Sequence, residues 1–169
     1  MGKVKSLDQI QSWRPSWSGK IVATTNGAFD LLHKGHIHIF RTAKSQSDIL
    51  IVGVNSDESI RQYKSPTRPI NDLLDRLAVL EAIEYIDYLV VFEEPDPRAF
   101  LAAVQPDAHY KSREGYKGIE EEVIDRERIH LLDDIPNYSS TRLFKRLYDD
   151  LIYQDMQRGE KLPEVGSTE

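Results

Sequence analysis

The sequence predicts an α/β protein, a doubly wound parallel sheet in a single domain, because strand-like apolar runs alternate with stretches of helical spacing. Asp48–Val54 and Tyr88–Phe92 are apolar almost throughout, as expected of strands that helices cover on both faces. At 169 residues the chain has the length of one ordinary domain. Ligands of such sheets bind beyond the carboxyl ends of the strands, so the residues that follow each strand are the first candidates for a site.

Each predicted element has a local signal. The first strand covers Lys20–Thr25, a β-branched run that stops at the turn signal Asn26-Gly27. A helical stretch follows from about His33 to Ser45, and Asn71–Tyr85 has helical spacing with several leucines on one side. Pro97–Val104 is a short helix that ends before a proline.

The remaining elements complete a Rossmann-like arrangement. Weaker strands cover about Ala108–Lys111 and Ile129–Leu132, and Ser139 or Ser140 opens a C-terminal helix. We therefore predict an N-terminal extension at 1–19, a folded domain at 20–157 and a polar C-terminal tail at 158–169.

Composition excludes several classes of function. The formal net charge is -6, so no overall basic field favours nucleic acid. Cysteine is absent, which removes disulfides, thiolate zinc sites and cysteine nucleophiles and fits a reducing compartment. No apolar run approaches the ~20 residues that span a bilayer. We expect a cytoplasmic protein with neither nucleic acid nor a membrane as partner.

The segment after the first strand carries the strongest chemical signal. His33 and His36 are three residues apart and share one face of the predicted helix. They stand at its N-terminus, where unpaired backbone N–H groups and the helix dipole favour phosphate. Gly35 has no Cβ, so a triphosphate can approach the backbone closely. Two imidazoles placed here can donate hydrogen bonds to phosphate oxygens as charge builds on them.

The stretch His33-Lys34-Gly35-His36 is the HxGH signature of the nucleotidylyltransferase superfamily. From about residue 20 to residue 147, the chain resembles the adenylyltransferase domain of bacterial ADP-heptose synthases. The matching segments are TNGAFDLLH at 25–33, IVGVNSD at 51–57, RPIN at 68–71, Asp75-Arg76 and YSST at 138–141. Several motifs in the family's order are more specific than the four-residue signature alone.

The resemblance implies a role for each matched residue. His33 and His36 would contact the triphosphate and stabilise the five-coordinate phosphorus, and Lys111 matches the lysine that ends the family's PDVLVKG stretch. Nucleotide and phosphate binding would fall to Asn26, Gly27, Phe29, Gly35, Lys64, Arg68, Arg76, Ser139, Ser140 and Thr141. The acceptor would meet Asn55 and Asp57, while Asp30 would face it or hold its own loop. Magnesium would be coordinated mainly by triphosphate oxygens, and we expect no metal ligand from the protein.

The sequence also departs from the family. Ala28 stands where the family usually has cysteine, and Lys111-Ser112-Arg113-Glu114-Gly115-Tyr116 replaces the family's KGGDY. The altered loop should face the base or the sugar, so it bears on substrate identity. The sugar-kinase domain fused to this domain in many relatives is not present, so we expect a separate kinase to supply the phosphorylated substrate. Relatives are often dimers, and Leu143, Leu147 and Leu151 suit either such an interface or ordinary core.

Ordinary structural roles compete with these assignments. The two histidines of the signature, together with His38, are also compatible with a metal site or a helix surface, although zinc needs a further well-placed ligand. Lys64, Arg68 and Lys111 are also compatible with plain solvated charges. A phosphate lid nevertheless needs what the first two offer, a basic loop bracketed by prolines.

Three further positions have equally simple explanations. Arg76 suits a surface salt bridge with Asp72 or Asp75. Ser139–Thr141 carry hydroxyl groups that suit the cap of a helix N-terminus, whether or not they also bind phosphate. The run Glu120-Glu121-Glu122 indicates a solvated helix face.

From the motifs we expect an enzyme that moves a nucleoside monophosphate, AMP from ATP, to a sugar phosphate such as heptose 1-phosphate and releases pyrophosphate. Two alternatives stay open: a cytidylyltransferase that uses CTP and glycerol 3-phosphate or another alcohol phosphate, and a nucleotide-binding protein without turnover. The GVNSD and RPIN segments favour the heptose type. The intact histidine motif and Lys111 argue against a protein without turnover.

Overall fold

The computed structural model describes residues 2–136 and 139–158. Five parallel strands form one sheet in the order β3-β2-β1-β4-β5. The strands are β1 (Val22–Gly27), β2 (Ile49–Asn55), β3 (Tyr88–Phe92), β4 (Ala108–Ser112) and β5 (Ile129–Leu132). The helices are α1 (Leu7–Trp13), α2 (Lys34–Ser45), α3 (Asp57–Tyr63), α4 (Leu73–Glu81), α5 (Arg98–Val104) and α6 (Ser140–Arg158). The predicted α/β class with a parallel sheet is confirmed.

The core lies on both faces of the sheet. Along β2, Ile49 and Ile51 pack into one apolar cluster, whereas Leu50 and Val52 pack into the other. This alternation follows from the two-residue repeat of a strand, and coverage of both faces explains why every residue of β2 is buried. Within the described residues, no helix is long and apolar enough to cross a membrane.

The strand order places the ligand crevice. The chain adds β2 and β3 on one side of β1 and then β4 and β5 on the other side. Ligands of such sheets bind at this switch point, beyond the carboxyl ends of β1 and β4. Short 3₁₀ turns at Ile119–Glu122 and Arg126–Arg128 connect β4 to β5 and bring further side chains to that end of the sheet.

Two features were not anticipated from the sequence. Helix α3 has seven residues, too few for a periodic apolar pattern, and its signal is the capping residue Ser56 followed by two acidic residues. Residues of the predicted N-terminal extension also belong to the core, because Ile10 and Trp17 are buried in one of its two clusters. Bridging hydrogen bonds at Lys3 and Lys5 further tie this segment to β3.

Candidate active site

The start of α2 orients a pair of histidines. The rings of His33 and His36 stack with their centroids 3.9 Å apart. Nδ1 of His33 accepts the N–H of Gly35 at 3.2 Å, and Nδ1 of His36 accepts the N–H of His33 at 3.3 Å. A neutral imidazole whose Nδ1 accepts a hydrogen bond carries its own hydrogen on Nε2. The helix N-terminus therefore fixes both rings with Nε2 as a donor for a ligand.

The surroundings of the two rings favour their neutral form. The pKa of His36 is lowered to about 3, mainly by burial and in smaller part by the nearby His33 and Lys64. Burial also lowers the pKa of His33, against a raising effect of Asp134. Neutral rings keep the same donor pattern through the physiological pH range, so the pair is a fixed source of hydrogen bonds.

Two cavities open beside this pair, and a third adjoins the first of them. The His33 cavity, of about 270 Å³, lies between the start of α2 and the end of β5. The Lys111 cavity, of about 450 Å³, lies beyond the carboxyl ends of β1, β2 and β4. The Lys64 cavity, of about 340 Å³, lies between the loop after α3 and the start of α6. His36 lines the first two cavities and Ser140 lines the first and the third, so all three are neighbours.

The Lys111 cavity gathers several of the predicted residues. Asn26, Gly27, Phe29 and Asn55 line it together with Lys111. Phe29 has a positive φ of 50°, and its ring folds back so closely that a Cβ on Gly27 would lie 3.2 Å from it. Nζ of Lys111 donates to Oδ1 of Asn26 at 2.8 Å, and burial lowers the pKa of Lys111. The side-chain amide of Asn55 instead donates to α3.

The Lys64 cavity is basic and rich in hydroxyl groups. Lys64, Arg68, Ser140 and Thr141 line it. Burial lowers the pKa of Lys64, and the charge of Arg68 lowers it further. Arg68 is itself held by an ion pair with the carboxylate of Asp30. The loop after α3 and the start of α6 thus present two basic side chains to one small space.

Ser139 caps the last helix and also lines a cavity, while its binding to phosphate stays a prediction. It lines the His33 cavity with Gly35, and its hydroxyl accepts the backbone N–H of Arg142 as a helix cap. Ser140 donates to the carbonyl of Leu31, which fixes the start of α6 against the loop that precedes α2. Tyr138 of the YSST motif lies outside the described residues.

Three of the predicted site residues make contacts within the protein. Arg76 is only 2% exposed and donates to the carbonyls of Ala28 and Asn55. Its remaining partner is the carboxylate of Asp57 at 2.6 Å, rather than Asp72 or Asp75, the partners considered from the sequence. Arg76 and Asp57 therefore join β2, α3 and α4. Arg76 lines none of the three cavities, but it lines a smaller one of about 110 Å³. A phosphate contact at Arg76 and an acceptor contact at Asp57 stay predictions.

Asp30 likewise serves its own loop, the second of the two roles considered for it. Its carboxylate accepts the backbone N–H groups of Ile70 and Asn71 and pairs with Arg68. The side chain is 1% exposed, and Asp30 lines the smaller cavity of about 110 Å³ together with Arg76. An acceptor contact at Asp30 stays a prediction.

Sequence reasoning missed Glu120. Its side chain lines the Lys111 cavity, is 3% exposed, and places Oε1 3.0 Å from Nζ of Lys111. The predicted solvated face is wrong for this residue, whereas Glu121 and Glu122 are exposed. In a run of three identical residues no local signal shows which one turns inward, because the 3₁₀ turn decides it.

The model of the cytidylyltransferase-like family matches residues 24–146. The chain belongs to the cytidylyltransferase-like family. The match covers the histidine pair, Lys111 and the start of α6, and it confirms the superfamily predicted from His33-Lys34-Gly35-His36. The predicted enzyme class, a nucleotidyltransferase, is confirmed with it.

Individual relatives agree with this placement. The bifunctional protein HldE of Campylobacter concisus (strain 13826) is 35% identical over 150 residues, which is 87% of this chain. This cytidylyltransferase-like chain spans 31% of the length of that relative.

Two solved structures are also similar. A lipopolysaccharide core biosynthesis protein from Thermoplasma volcanium GSS1 has a TM-score of 0.57 and 26% identity, covering 69% of this chain and 98% of the other. A pantoate-beta-alanine ligase from Francisella tularensis has a TM-score of 0.62 at 17% identity, covering 90% of this chain and 80% of the other. The second likeness concerns the fold alone.

Proposed function

We propose that this chain transfers the nucleoside monophosphate part of a nucleoside triphosphate, AMP from ATP, to a sugar phosphate such as heptose 1-phosphate and releases pyrophosphate. The observation that carries the proposal is a pair of oriented imidazoles in the walls of two cavities, one of which adjoins a third, basic cavity. Such a transfer needs one place for the nucleoside, one for the leaving pyrophosphate and one for the acceptor. It also needs hydrogen-bond donors at the point where the three meet.

The chemistry of the walls supports one assignment of the cavities. The Lys64 cavity suits the β- and γ-phosphates, and it shares Ser140 with the His33 cavity, which takes the nucleoside. The Lys111 cavity shares His36 with the His33 cavity but has no lining residue in common with the Lys64 cavity, so it takes the acceptor. Attacking and leaving oxygens then approach the α-phosphorus from different sides, as an in-line displacement requires.

This assignment moves one group of residues from the nucleotide to the acceptor. The family resemblance implied that Asn26, Gly27 and Phe29 line the nucleotide pocket. All three line the Lys111 cavity, beside the amine that is best placed to meet an acceptor phosphate. We therefore propose acceptor contacts for these residues and for Asn55.

The reaction is a direct displacement. An oxygen of the acceptor phosphate attacks the α-phosphorus, and the bond from that phosphorus to the pyrophosphate oxygen breaks. The acceptor phosphate is already ionised, so neither a general base nor a covalent enzyme intermediate is needed. His33 and His36 donate from Nε2 to α-phosphate oxygens as negative charge grows on them, and Lys111 adds positive charge on the acceptor side.

Magnesium fits this arrangement as a partner of the triphosphate. In the described part of the chain no three histidine or carboxylate residues are grouped to hold a metal ion. A magnesium ion would be carried by phosphate oxygens, where it would neutralise part of the triphosphate charge. Lys64 and Arg68 would hold the same phosphates from the protein side.

The substrate identity rests on the motifs outside the histidine pair. The GVNSD and RPIN segments resemble ADP-heptose synthases, and the match to HldE runs through both of them. A cytidylyltransferase that acts on an alcohol phosphate is the second candidate, favoured by the description of the matched family. A cytoplasmic location stays a prediction.

The last helix supports a homodimer. Phe144, Leu147, Tyr148 and Leu151 follow the spacing of one helix face, and all four are exposed. Leu147 is 60% and Leu151 57% exposed, so these side chains are not ordinary core. A continuous apolar face on a surface helix is typical of a protein interface.

The apolar face of α6 favours a second copy of the chain as the partner. When two copies of α6 pack antiparallel about a two-fold axis, the apolar face of each covers that of the other. The charged residues Lys145, Arg146, Asp149 and Asp150 are exposed on the far side of the helix and stay in solvent. We propose this self-complementary arrangement for the dimer.

The test of the proposed activity is pyrophosphate release with each of the four ribonucleoside triphosphates, magnesium and a panel of sugar and alcohol phosphates. Release with ATP and a heptose or hexose 1-phosphate supports the leading proposal. Release only with CTP moves the protein to the cytidylyltransferase alternative. Nucleotide binding without release from any pair would contradict the transferase proposal and support a binding protein without turnover.

A further inference from the structure

Glu120 leaves a buried carboxylate oxygen without a protein partner. Its Oε1 meets Nζ of Lys111, but Oε2 is buried and has no hydrogen-bond partner among the described residues. The residue stands in the 3₁₀ turn Ile119–Glu122, and both Ile119 and Glu120 line the Lys111 cavity. A buried acceptor that stays unpaired costs about 1–3 kcal/mol, and more when it is charged. A buried carboxylate oxygen that is unpaired beside a cavity indicates that a ligand supplies the missing hydrogen-bond donor.

The turn that carries Glu120 is fixed by its neighbours. The hydroxyl of Tyr116 donates to the carboxylate of Glu121, and Arg98 pairs with Glu122 at 2.6 Å. These contacts lie on the outer side of the turn, where both glutamates are exposed. Glu120 is therefore directed inward by an anchored turn, beside the Lys111 cavity that this residue lines.

We propose that Glu120 selects the acceptor by accepting a hydrogen bond from a hydroxyl on the carbon next to the one that carries the phosphate. This inference rests on the proposed function, in which the Lys111 cavity holds the acceptor. Lys111 donates to an oxygen of the acceptor phosphate, and Glu120 accepts from the neighbouring hydroxyl. The substrate class is thus a sugar 1-phosphate with a free 2-hydroxyl, or an alcohol phosphate with a hydroxyl on the adjacent carbon.

The distance between the two side chains supports a vicinal pair of ligand groups. Nζ of Lys111 and Oε1 of Glu120 are 3.0 Å apart, so the ligand atoms that they bind are also close together. An ammonium has only donors and a carboxylate has only acceptors, so the pair offers one site for a phosphate oxygen and one for a hydroxyl. A second phosphate beside Glu120 would be repelled, which argues against bisphosphorylated acceptors.

An acceptor that lacks the hydroxyl leaves Oε2 unpaired in the complex. Sites built to hydrogen-bond a substrate hydroxyl reject the analogue without it, because the buried group then loses its only partner. We expect a loss of about 10- to 100-fold in affinity and in kcat/KM for such an analogue, which corresponds to about 1–3 kcal/mol.

The experiment compares glucose 1-phosphate, mannose 1-phosphate and 2-deoxyglucose 1-phosphate, which differ only at carbon 2. Binding to the full chain is measured by calorimetry with the wild type and with Glu120→Gln, and turnover with ATP and magnesium is measured in parallel. In the wild type the deoxy compound should bind about 10- to 100-fold more weakly than the better of the two epimers. In Glu120→Gln this difference should shrink to a few-fold, while the KM for ATP stays unchanged.

Glu127→Gln, exposed in the neighbouring 3₁₀ turn and not among the contacts that anchor Glu120, is the matched control and should keep the wild-type preference. Equal binding of the deoxy compound and both epimers by the wild type would overturn the proposal, whatever the stability of the variant. An equal loss for all three compounds in Glu120→Gln would also overturn it, because Glu120 would then only position Lys111. Discrimination in binding without pyrophosphate release would support the Glu120 site and count against the proposed transfer.

Discussion

The ring of His36 stacks on the ring of His33 at 3.9 Å, and its Nδ1 accepts the backbone N–H of His33. One nitrogen of each ring is thus committed to the helix N-terminus, and the other is left for a ligand. The two nitrogens of each ring thus have separate roles: Nδ1 accepts a backbone hydrogen bond, and Nε2 donates to a ligand. Substitutions that keep one of these positions and remove the other can therefore test each role individually.

His36→Asn and His36→Gln form such a pair. Asparagine keeps an oxygen near the position of Nδ1, so the N–H of His33 stays paired, but it lacks a donor at Nε2. We expect His36→Asn to fold normally and to lose about 10²- to 10³-fold in turnover, as for other lost transition-state donors. Glutamine keeps a donor near Nε2 and should lose less turnover but more stability. Turnover at the wild-type level in both variants would rule out His36 as a catalytic donor.

The low pKa of His36 makes stability depend on pH. The folded chain binds a proton at His36 only near pH 3, whereas the unfolded chain binds one near the ordinary value of 6.5. The contribution is therefore complete above pH 6.5 and is lost as the pH falls toward 3. Relative to His36→Asn, the wild type should lose about 1.4 kcal/mol of unfolding free energy per pH unit below 6.5. Urea unfolding of both proteins between pH 4 and pH 8 measures this difference, and parallel curves would contradict it.

Much of this fold can be predicted from its apolar runs. Residues Asp48–Val54 are apolar almost throughout because both faces of β2 are covered, so the strand and its parallel neighbours follow from composition alone. Helix α3 could not be predicted in the same way, since seven residues give less than two full periods of a helix. Its existence depends on packing against the sheet.

The residues of the site also divide into those that local sequence reveals and those that only the fold brings together. His33 and His36 could be predicted, because a three-residue spacing at the start of a helix is visible in a short stretch of sequence. Arg76 could not be placed, because its partner Asp57 comes from a different helix that the fold brings to 2.6 Å. Glu120 was hidden for the same reason, since only the turn geometry distinguishes it from the two glutamates that follow.

The side chain of Arg76 should make a large contribution to the unfolding free energy. Its guanidinium is buried and satisfies two carbonyls and the carboxylate of Asp57. Arg76→Ala leaves these acceptors unpaired, and we expect a loss of about 3–5 kcal/mol in unfolding free energy. Arg61→Ala is the matched control, because Arg61 forms an exposed ion pair on α3 and should change stability by less than about 0.5 kcal/mol. Denaturant unfolding that ranks the two variants equally would disprove the structural role of Arg76.

Lys64 should act on the triphosphate and not on the acceptor. It lines the cavity assigned to the β- and γ-phosphates, which shares no lining residue with the Lys111 cavity. Lys64→Ala removes one charge-assisted contact, so we expect the KM for the triphosphate to rise about 10- to 100-fold. The KM for the acceptor should change little. Steady-state kinetics with each substrate varied in turn separates the two values, and a selective rise in the acceptor KM would reverse the assignment of the cavities.

The proposed dimer is best tested by placing a charge on the apolar face of α6. Leu147→Asp puts a carboxylate at the centre of that face, where a dimer would bury it without a partner, so this variant should be monomeric. Asp149→Lys changes a charge on the far side of the same helix and is the matched control that should stay dimeric. Sedimentation velocity over a range of concentrations measures these masses. A monomeric wild type at every concentration, or a dimer that survives Leu147→Asp, would place the interface elsewhere or remove it.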